Sequence, residues 1–321
     1  MTLLIVAQAV GWAMPTSSAA DHNQTVIVVV GAAGAPEYAP QFARWTGLWE
    51  QACSQGDAQF LAIGLDKGGT SSDRERIQGA LAERSQRSAA PLWLVLIGHG
   101  TFDGKTARFN LRGPDLSAGD LAEWLRPITR PVAIINTTSA SAPFLKELSA
   151  PGRIVISATK SGFEHNYARF GQYLAEAIAH PQADLDKDGQ TSLLEAYLTA
   201  SHAVGAFYTA AGRLAIEHAL LDDNGDGLGT PAEWFRGIRP AQKARDDTTL
   251  DGYRAHQFHL VHSPTEKAMA PQLRAKRDQL ELRIMELRDT KAQFSETEYF
   301  SKLESLLREI AQIYELTGTG R

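Results

Sequence analysis

One twelve-residue segment, residues 184–195, carries oxygen-bearing side chains at alternate positions and a glycine, Gly189, at position 6. A hard cation such as Ca²⁺ is bound by oxygen ligands at alternate residues of a tight turn, with a final glutamate that binds through both oxygens. The predicted ligands are Asp184, Asp186, Asp188, Gln190, Ser192 and Glu195. The segment therefore predicts a calcium-binding loop, and the alternative interpretation is an acidic, solvated turn.

A second acidic loop, residues 222–233, begins 38 residues after the first. Its predicted ligands are Asp222, Asn224, Asp226, Leu228, Thr230 and Glu233. Both loops fit the EF-hand pattern, and their spacing predicts an adjacent helix-loop-helix pair in which residues 196–221 supply one exit helix and one entry helix. The chain contains only 4 Met, whereas calcium sensors often expose a Met-rich groove. We therefore expect calcium to have a structural role.

Position 8 of both loops departs from the EF-hand pattern. Thr191 and Gly229 stand where an apolar residue usually couples two paired loops through a short bridge. Close pairing and cooperative binding are therefore not expected.

Other chemistry-bearing residues follow two apolar, strand-like runs. Leu96 and Ile97 lead into Gly98-His99-Gly100, and residues 132–135 lead into a hydroxyl-rich turn that contains Thr138 and Ser139. A histidine between glycines at the end of a strand can act as a general base, with a neighbouring amide as an oxyanion donor. The alternative interpretation of His99 is a turn-capping side chain.

At these two strand ends, over about residues 25–179, the sequence resembles the legumain- and caspase-type cysteine peptidases. The resemblance implies that His99 is the catalytic base and that the amide of Gly100 forms part of the oxyanion hole. It places Ser139 at the position of the nucleophile, or Thr138 if the alignment slips by one residue. Neither is cysteine, and a hydroxyl ionises far less readily than a thiol. The sequence therefore predicts a non-proteolytic binding or scaffolding module, the alternative being a hydrolase that uses Ser139 or Thr138 with His99.

The single cysteine, Cys53, lies near the end of the first predicted helix. We expect it to be a small buried hydrophobic residue and not a substitute nucleophile.

Strand-like and helix-like patterns alternate through the first half of the chain. The predicted strands are residues 26–30, 60–63, 92–97, 132–135 and 154–157, and helical patterns follow the first four. Continuous apolar strands joined by helices predict a doubly wound, mostly parallel α/β sheet, and the resemblance specifies a caspase-like α/β/α sandwich. Its carboxyl-terminal edge is where a peptide or protein partner is expected to bind.

The predicted organisation has five parts. These are a possible signal peptide or flexible leader (1–22), the α/β domain (23–180), the EF-hand-like region (181–238), a linker with a possible edge strand over 252–261 (239–263), and a C-terminal helical hairpin (264–321). A capping box at Ser295 and Glu298 begins the last helix. The apolar stripe of the hairpin packs within the chain or, alternatively, mediates self-association.

The composition limits the class of protein. The chain has 321 residues, a formal net charge of −5 and 43% hydrophobic residues, which is typical of a soluble globular protein. No basic stripe is present, so a nucleic-acid partner is not expected. No segment after the leader offers the roughly 20 uninterrupted apolar residues of a membrane span. The leader lacks a preceding Lys or Arg, so export and a cytoplasmic location both stay open.

Overall fold

The computed structural model describes residues 23–66, 70–84, 90–245 and 248–317. The predicted leader, residues 1–22, lies outside the described residues. The strands are, in chain order, β1 (Thr25–Val30), β2 (Gln59–Ile63), β3 (Leu92–Ile97), β4 (Gly100–Phe102), β5 (Ala107–Phe109), β6 (Leu116–Ser117), β7 (Val132–Asn136), β8 (Arg153–Ser157), β9 (Leu220–Asp222), β10 (Thr230–Pro231), β11 (Phe235–Arg236) and β12 (Arg239–Pro240).

The helices complete the inventory of regular elements in the described part of the chain. They are α1 (Tyr38–Gln55), α2 (Asp73–Arg84), α3 (Ala118–Leu125), α4 (Ala142–Leu148), α5 (Phe170–Ala177), α6 (Leu193–Ala210), α7 (Tyr253–His256), α8 (Pro264–Ala268), α9 (Pro271–Asp289) and α10 (Glu296–Thr317). Short 3-10 turns lie at Pro181–Ala183, Ala232–Trp234 and Lys291–Gln293.

The main sheet of the described residues has seven strands in the order β10, β9, β8, β7, β3, β1, β2. The five strands from β8 to β2 pair in parallel, and β9 and β10 add antiparallel pairs at one edge. Every residue of β1 and β3 is buried, which explains why both sequences are continuously apolar. The predicted mostly parallel, doubly wound α/β fold is confirmed.

Helices cover both faces of this sheet. Alternate residues of β1 point to opposite sides: Val26 and Val28 pack with α1, α5 and α6, whereas Ile27 and Val29 pack with α2, α3 and α4. Large buried aromatic side chains such as Trp45 fill the first of these layers. The strands therefore end between two helical layers, at an edge where polar side chains can collect.

Two local predictions are wrong, both near the second loop. The predicted entry helix is absent among the described residues, because α6 ends at Ala210 and the segment before the loop forms β9, which pairs with the exposed edge of β8. The predicted edge strand over residues 252–261 instead begins with the short helix α7. Gly252 adopts a φ of 102° there and turns the chain into that helix.

The C-terminal segment forms a helical hairpin, as the apolar spacing predicts. Leu280, Ile284 and Leu287 of α9 form a separate apolar cluster with residues of α10, including Tyr299 and Leu306. The predicted capping box is present: the amide and hydroxyl of Ser295 both donate to Glu298 Oε2, at 3.1 and 2.7 Å. Among the described residues, no helix is both long enough and apolar enough to cross a membrane.

Candidate calcium loops and strand-end site

The first loop, residues 184–195, lies between the 3-10 turn Pro181–Ala183 and α6. The carboxylate of Asp184, at position 1, accepts the amides of Lys187 at 2.7 Å and Gly189 at 3.1 Å. Asp186 accepts the amide of Asp188, and Asp188 accepts that of Gln190, at 3.2 and 3.0 Å. Carboxylates at positions 1, 3 and 5 are therefore turned into the loop by its own backbone.

The same three aspartates converge. Asp184, Asp186 and Asp188 each offer an oxygen, and these oxygens lie within 4.8 Å of one another. Burial raises the pKa of Asp188, and the neighbouring charge of Asp186 adds to that rise. Like charges so close repel when ionised, so a divalent cation among them would relieve the repulsion.

Glu195, at position 12, closes the first loop from the N-terminus of α6. Its Oε1 accepts the amides of Leu185 and Asp186 at 2.6 and 3.2 Å. Its Oε2 accepts both the amide and the hydroxyl of Ser192, each at 2.8 Å. Glu195 is fully buried, so one carboxylate joins the start of the loop to its end.

The second loop, residues 222–233, joins β9 to β10 and repeats the amide pattern. Asp222 accepts the amides at positions 4 and 6, from Gly225 and Gly227, each at 2.9 Å. Asn224 accepts the amide of Asp226 at 2.8 Å, and Asp226 accepts that of Leu228 at 2.7 Å. The two loops therefore share one backbone conformation at positions 1 to 7, although one precedes a helix and the other joins strands.

One carboxylate oxygen of the second loop lacks a hydrogen-bond partner. Asp226 Oδ2 is shielded from solvent and accepts no hydrogen bond within the described structure. A buried carboxylate oxygen without a donor is costly unless a cation is nearby. This orphaned oxygen at position 5 fits a calcium ligand.

Thr230 and Glu233, the predicted ligands at positions 9 and 12 of the second loop, differ in burial. Thr230, at position 9, is buried, whereas the side chain of Glu233 is exposed. Glu233 lines a cavity with Leu198 and His202 of α6. The structure therefore does not bring Glu233 into the loop in the way that it brings Glu195 into the first.

Asp251 is a buried acidic residue at the second loop that the sequence pattern assigned to a linker. It lies 2% exposed beside Asp223, which is 1% exposed. Burial raises the pKa of both carboxylates, and the charge of Asp223 raises that of Asp251 further. The twelve-residue loop pattern ends at Glu233 and does not include Asp251. In the sequence, Asp251 differs from its neighbours only as an acidic residue in a segment with few apolar residues.

At the strand-end site, His99 follows β3 and its imidazole is half buried. Nε2 lies 3.0 Å from the carbonyl oxygen of Ala33, and since a carbonyl only accepts, Nε2 carries the proton in this arrangement. The ring packs edge-on against Tyr38 and Phe42, with centroids 4.8 and 5.5 Å away. Backbone and aromatic contacts therefore fix the orientation of the imidazole.

The hydroxyls of the strand-end site bond elsewhere. Ser139 Oγ donates to the carbonyl of Gly100 at 3.1 Å and accepts the amide of Gly100 at 3.3 Å. Thr138 Oγ1 lies 2.7 Å from Asn136 Oδ1 and donates to it. Neither hydroxyl has a hydrogen bond to His99 in the described part of the chain, and the Gly100 amide already has a partner.

The backbone around Ser139 is tightly packed. A Cβ added to Gly100 would lie 2.2 Å from the carbonyl oxygen of Ser139, so only glycine fits. Ala140 adopts a φ of 53°, a left-handed conformation that is strained for alanine. Its amide donates to the carbonyl of Glu164 at 2.8 Å. These contacts hold the turn between β7 and α4 closed over Ser139, which is 4% exposed.

Cys53 lies in α1 and is 1% exposed. Burial raises the pKa of its thiol to about 12, and the neighbouring Glu50 adds to the rise. The thiol is therefore protonated near neutral pH and does not supply a thiolate nucleophile.

No protein-family model matches this sequence, and no curated protein matches it significantly. Among solved structures, the chain is similar to the Drosophila initiator caspase Dronc, with 12% identity over 65% of this chain and 81% of that chain and a TM-score of 0.43. It is similar also to caspase-1 from Spodoptera frugiperda, with 8% identity over 63% of this chain and 86% of that chain and a TM-score of 0.42. At these values the likeness assigns no activity to this chain.

Proposed function

We propose that this protein is a calcium-stabilised, non-proteolytic protein of the caspase and legumain type that serves as a binding or scaffolding module. The observation that carries the proposal is the repeated carboxylate cradle, in which Asp184 and Asp222 accept the amides at positions 4 and 6 of their loops. Two separate segments with different flanking elements adopt the same cradle. The metal ligands that each segment offers are all oxygen atoms.

The donor set supports calcium as the ion. Carboxylate, amide and hydroxyl oxygens suit a hard cation, and the orphaned oxygen of Asp226 fits a ligand position. A bound ion would neutralise the carboxylates and lower the repulsion among them. Since Glu195 belongs both to the first loop and to the first turn of α6, calcium there would hold the loop against the N-terminus of that helix.

The strand-end geometry supports the absence of peptidase activity. A serine nucleophile needs a base within about 2.6–3.2 Å of its hydroxyl, and the hydroxyl of Ser139 instead donates to a carbonyl. His99 Nε2 carries the proton that it donates to the carbonyl of Ala33, so this nitrogen is not a free acceptor for a hydroxyl proton. Ser139 and Gly100 instead bond to each other and stabilise the turn between β7 and α4.

The same edge carries the features of a binding surface. The side chain of Phe163 is 69% exposed and stands edge-on to the half-buried Phe102, with ring centroids 5.3 Å apart. Tyr167 and Tyr38 stack beside His99, with centroids 4.8 Å apart. One exposed and three half-buried aromatic rings at the carboxyl edge of a parallel sheet suit a peptide or protein partner.

Calcium binding is tested by calorimetric titration of the metal-stripped protein. We expect wild-type protein to bind calcium, and Glu195→Gln to lose the first loop's share of the binding. Glu296→Gln is the matched control, because Glu296 lies exposed at the start of α10, in the C-terminal hairpin. Absence of any calcium binding in the wild-type protein would contradict the proposal.

The non-proteolytic part is tested with a peptide library and a reactive acyl or phosphonate probe, both in calcium. We expect no cleavage and no covalent adduct on Thr138 or Ser139. Cleavage that His99→Ala abolishes would favour the second candidate, a hydrolase that uses one of these hydroxyls.

A further inference from the structure

Glu195 makes a specific set of contacts in the first loop. One of its oxygens accepts the amides at positions 2 and 3, Leu185 and Asp186. Its other oxygen accepts from the residue at position 9, Ser192. This carboxylate therefore closes the loop by joining its beginning to its end.

In the second loop three of these four contacts are made by a residue outside the twelve. Asp251 Oδ1 accepts the amides at positions 2 and 3, Asp223 and Asn224, at 2.9 and 3.1 Å. Asp251 Oδ2 accepts the hydroxyl at position 9, Thr230, at 2.6 Å. The contacts of Glu195 with the amides at positions 2 and 3 and with the hydroxyl at position 9 each have a counterpart, although Asp251 lies 18 residues beyond Glu233.

We infer that Asp251, and not Glu233, is the closing carboxylate ligand of a second, discontinuous calcium site. This inference rests on the proposed function. The unpaired Oδ2 of Asp226, in the same loop, independently fits a cation ligand. Glu233, at the expected position 12, lines a different cavity.

Because Asp251 lies outside the loop, calcium binding there would also affect the packing of α7 and the C-terminal hairpin. Asp223 accepts the amides of Gly252 and Ala255, each at 2.8 Å, and so holds the start of α7. Tyr253, in α7, donates to Asp289 at the end of α9 at 3.0 Å. An ion held by Asp251 would therefore fasten α7, and through it the C-terminal hairpin, to the edge of the sheet.

The test measures calcium binding by the full chain in a Glu195→Gln background, where the second loop is the remaining site. Asp251→Asn keeps an oxygen for the two amides but removes the charge. We expect it to weaken calcium binding by at least roughly 10- to 100-fold, the loss typical even of an outer partner of a metal ligand. Glu233→Gln in the same background is the matched control, and we expect its affinity to be unchanged.

The outcomes separate the inference from the proposed function. Three results would overturn the inference and leave calcium binding at the first loop intact. These are lost calcium binding in Glu233→Gln, retained calcium binding in Asp251→Asn, and no calcium binding in the Glu195→Gln background. Absence of binding in the wild-type protein would overturn both. A loss of calcium binding with Glu233→Gln overturns the inference even if Asp251→Asn fails to fold, and circular dichroism reports that failure.

Discussion

At the strand ends the hydroxyls of Thr138 and Ser139 donate to oxygens of the protein itself, whereas in the second acidic loop Asp226 keeps a buried oxygen without a donor. The two regions leave different kinds of group unpaired. At the strand ends the fully buried Asn136 keeps an amide nitrogen without an acceptor among the described residues, whereas in the loop the partly exposed Asp226 keeps a carboxylate oxygen without a donor. A carboxylate oxygen is a ligand for a hard cation, and an amide N–H is not.

This difference changes the meaning of the resemblance to peptidases. The histidine motif is present, but the side chains of His99 and Ser139 are bonded to backbone groups of Ala33 and Gly100 respectively. On the proposed function, the chemistry of the chain lies in the loops beyond the parallel strands.

Calcium should stabilise the protein through both loops. At free calcium about 100-fold above Kd, each occupied loop adds roughly 2.7 kcal/mol to the free energy of unfolding. Denaturant unfolding with calcium and with chelator measures the gain. Glu195→Gln should remove the share of the first loop, whereas His99→Ala should leave the calcium-dependent gain intact; a gain that disappears with His99→Ala would break the contrast.

Gly100→Ala should destabilise the strand-end site by about 1–3 kcal/mol, because the added methyl group overlaps the carbonyl of Ser139. Gly47→Ala is the control, since Gly47 lies in α1 with no atom within 4 Å of the added Cβ. That control should stabilise the helix by roughly 0.5–1 kcal/mol. Chemical denaturation measures both, and equal effects would show that the strand-end packing is not tight.

Protonation of His259 in acid should lower the free energy of unfolding, because this histidine packs beside the first loop. His259 pairs with Ser192, and burial, reinforced by the charges of His262 and His256, lowers its pKa from 6.5 to about 3. The unfolded chain then binds a proton that the folded chain excludes, so stability present above about pH 6.5 is lost as the pH falls toward 3. Between pH 7 and 5 we expect His259 to account for a loss of about 1–2 kcal/mol, measured as the difference between the wild-type protein and His259→Gln.

Unfolding curves at several pH values in chelator measure the loss of stability in acid. His259→Gln removes the titrating group, so its stability should change less over the same pH range. An unchanged slope in that variant would assign the loss to other groups.

Substitution at position 4 of the first calcium loop should change calcium affinity only modestly. Lys187 adopts a φ of 65° in the first loop, and Gly225 holds the equivalent position of the second at 83°. Lys187→Gly removes left-handed strain and one positive charge beside the cradle. We expect calcium affinity at the first loop to rise roughly two- to fivefold by titration. A weaker affinity would show that Lys187 supports the loop through its bond to the carbonyl of Asp184.

The sequence predicted the parallel strands closely because buried strands have a continuous apolar pattern, as in β3, and this pattern depends little on distant partners. It misassigned the segment before the second loop because Leu220 and Leu221 are equally compatible with a helix. Their strand conformation depends on pairing with β8, which is a tertiary contact.

At the candidate sites, the limits of prediction have a similar cause. The loop ligands at positions 1 to 7 were predictable because they are close in sequence. Asp251 was not, since its partners are about 20 to 30 residues earlier in the chain. The bond from His99 to the carbonyl of Ala33 was also not predictable, because every residue has a backbone carbonyl.

Amide hydrogen exchange with and without calcium tests the central contrast most directly. We predict that calcium slows exchange at the loop amides of Gly189 and Gly227, which donate to Asp184 and Asp222, and leaves Gly100 and Ala140 unchanged. Unchanged exchange at both loops, or a calcium effect centred on the strand ends, would contradict the account.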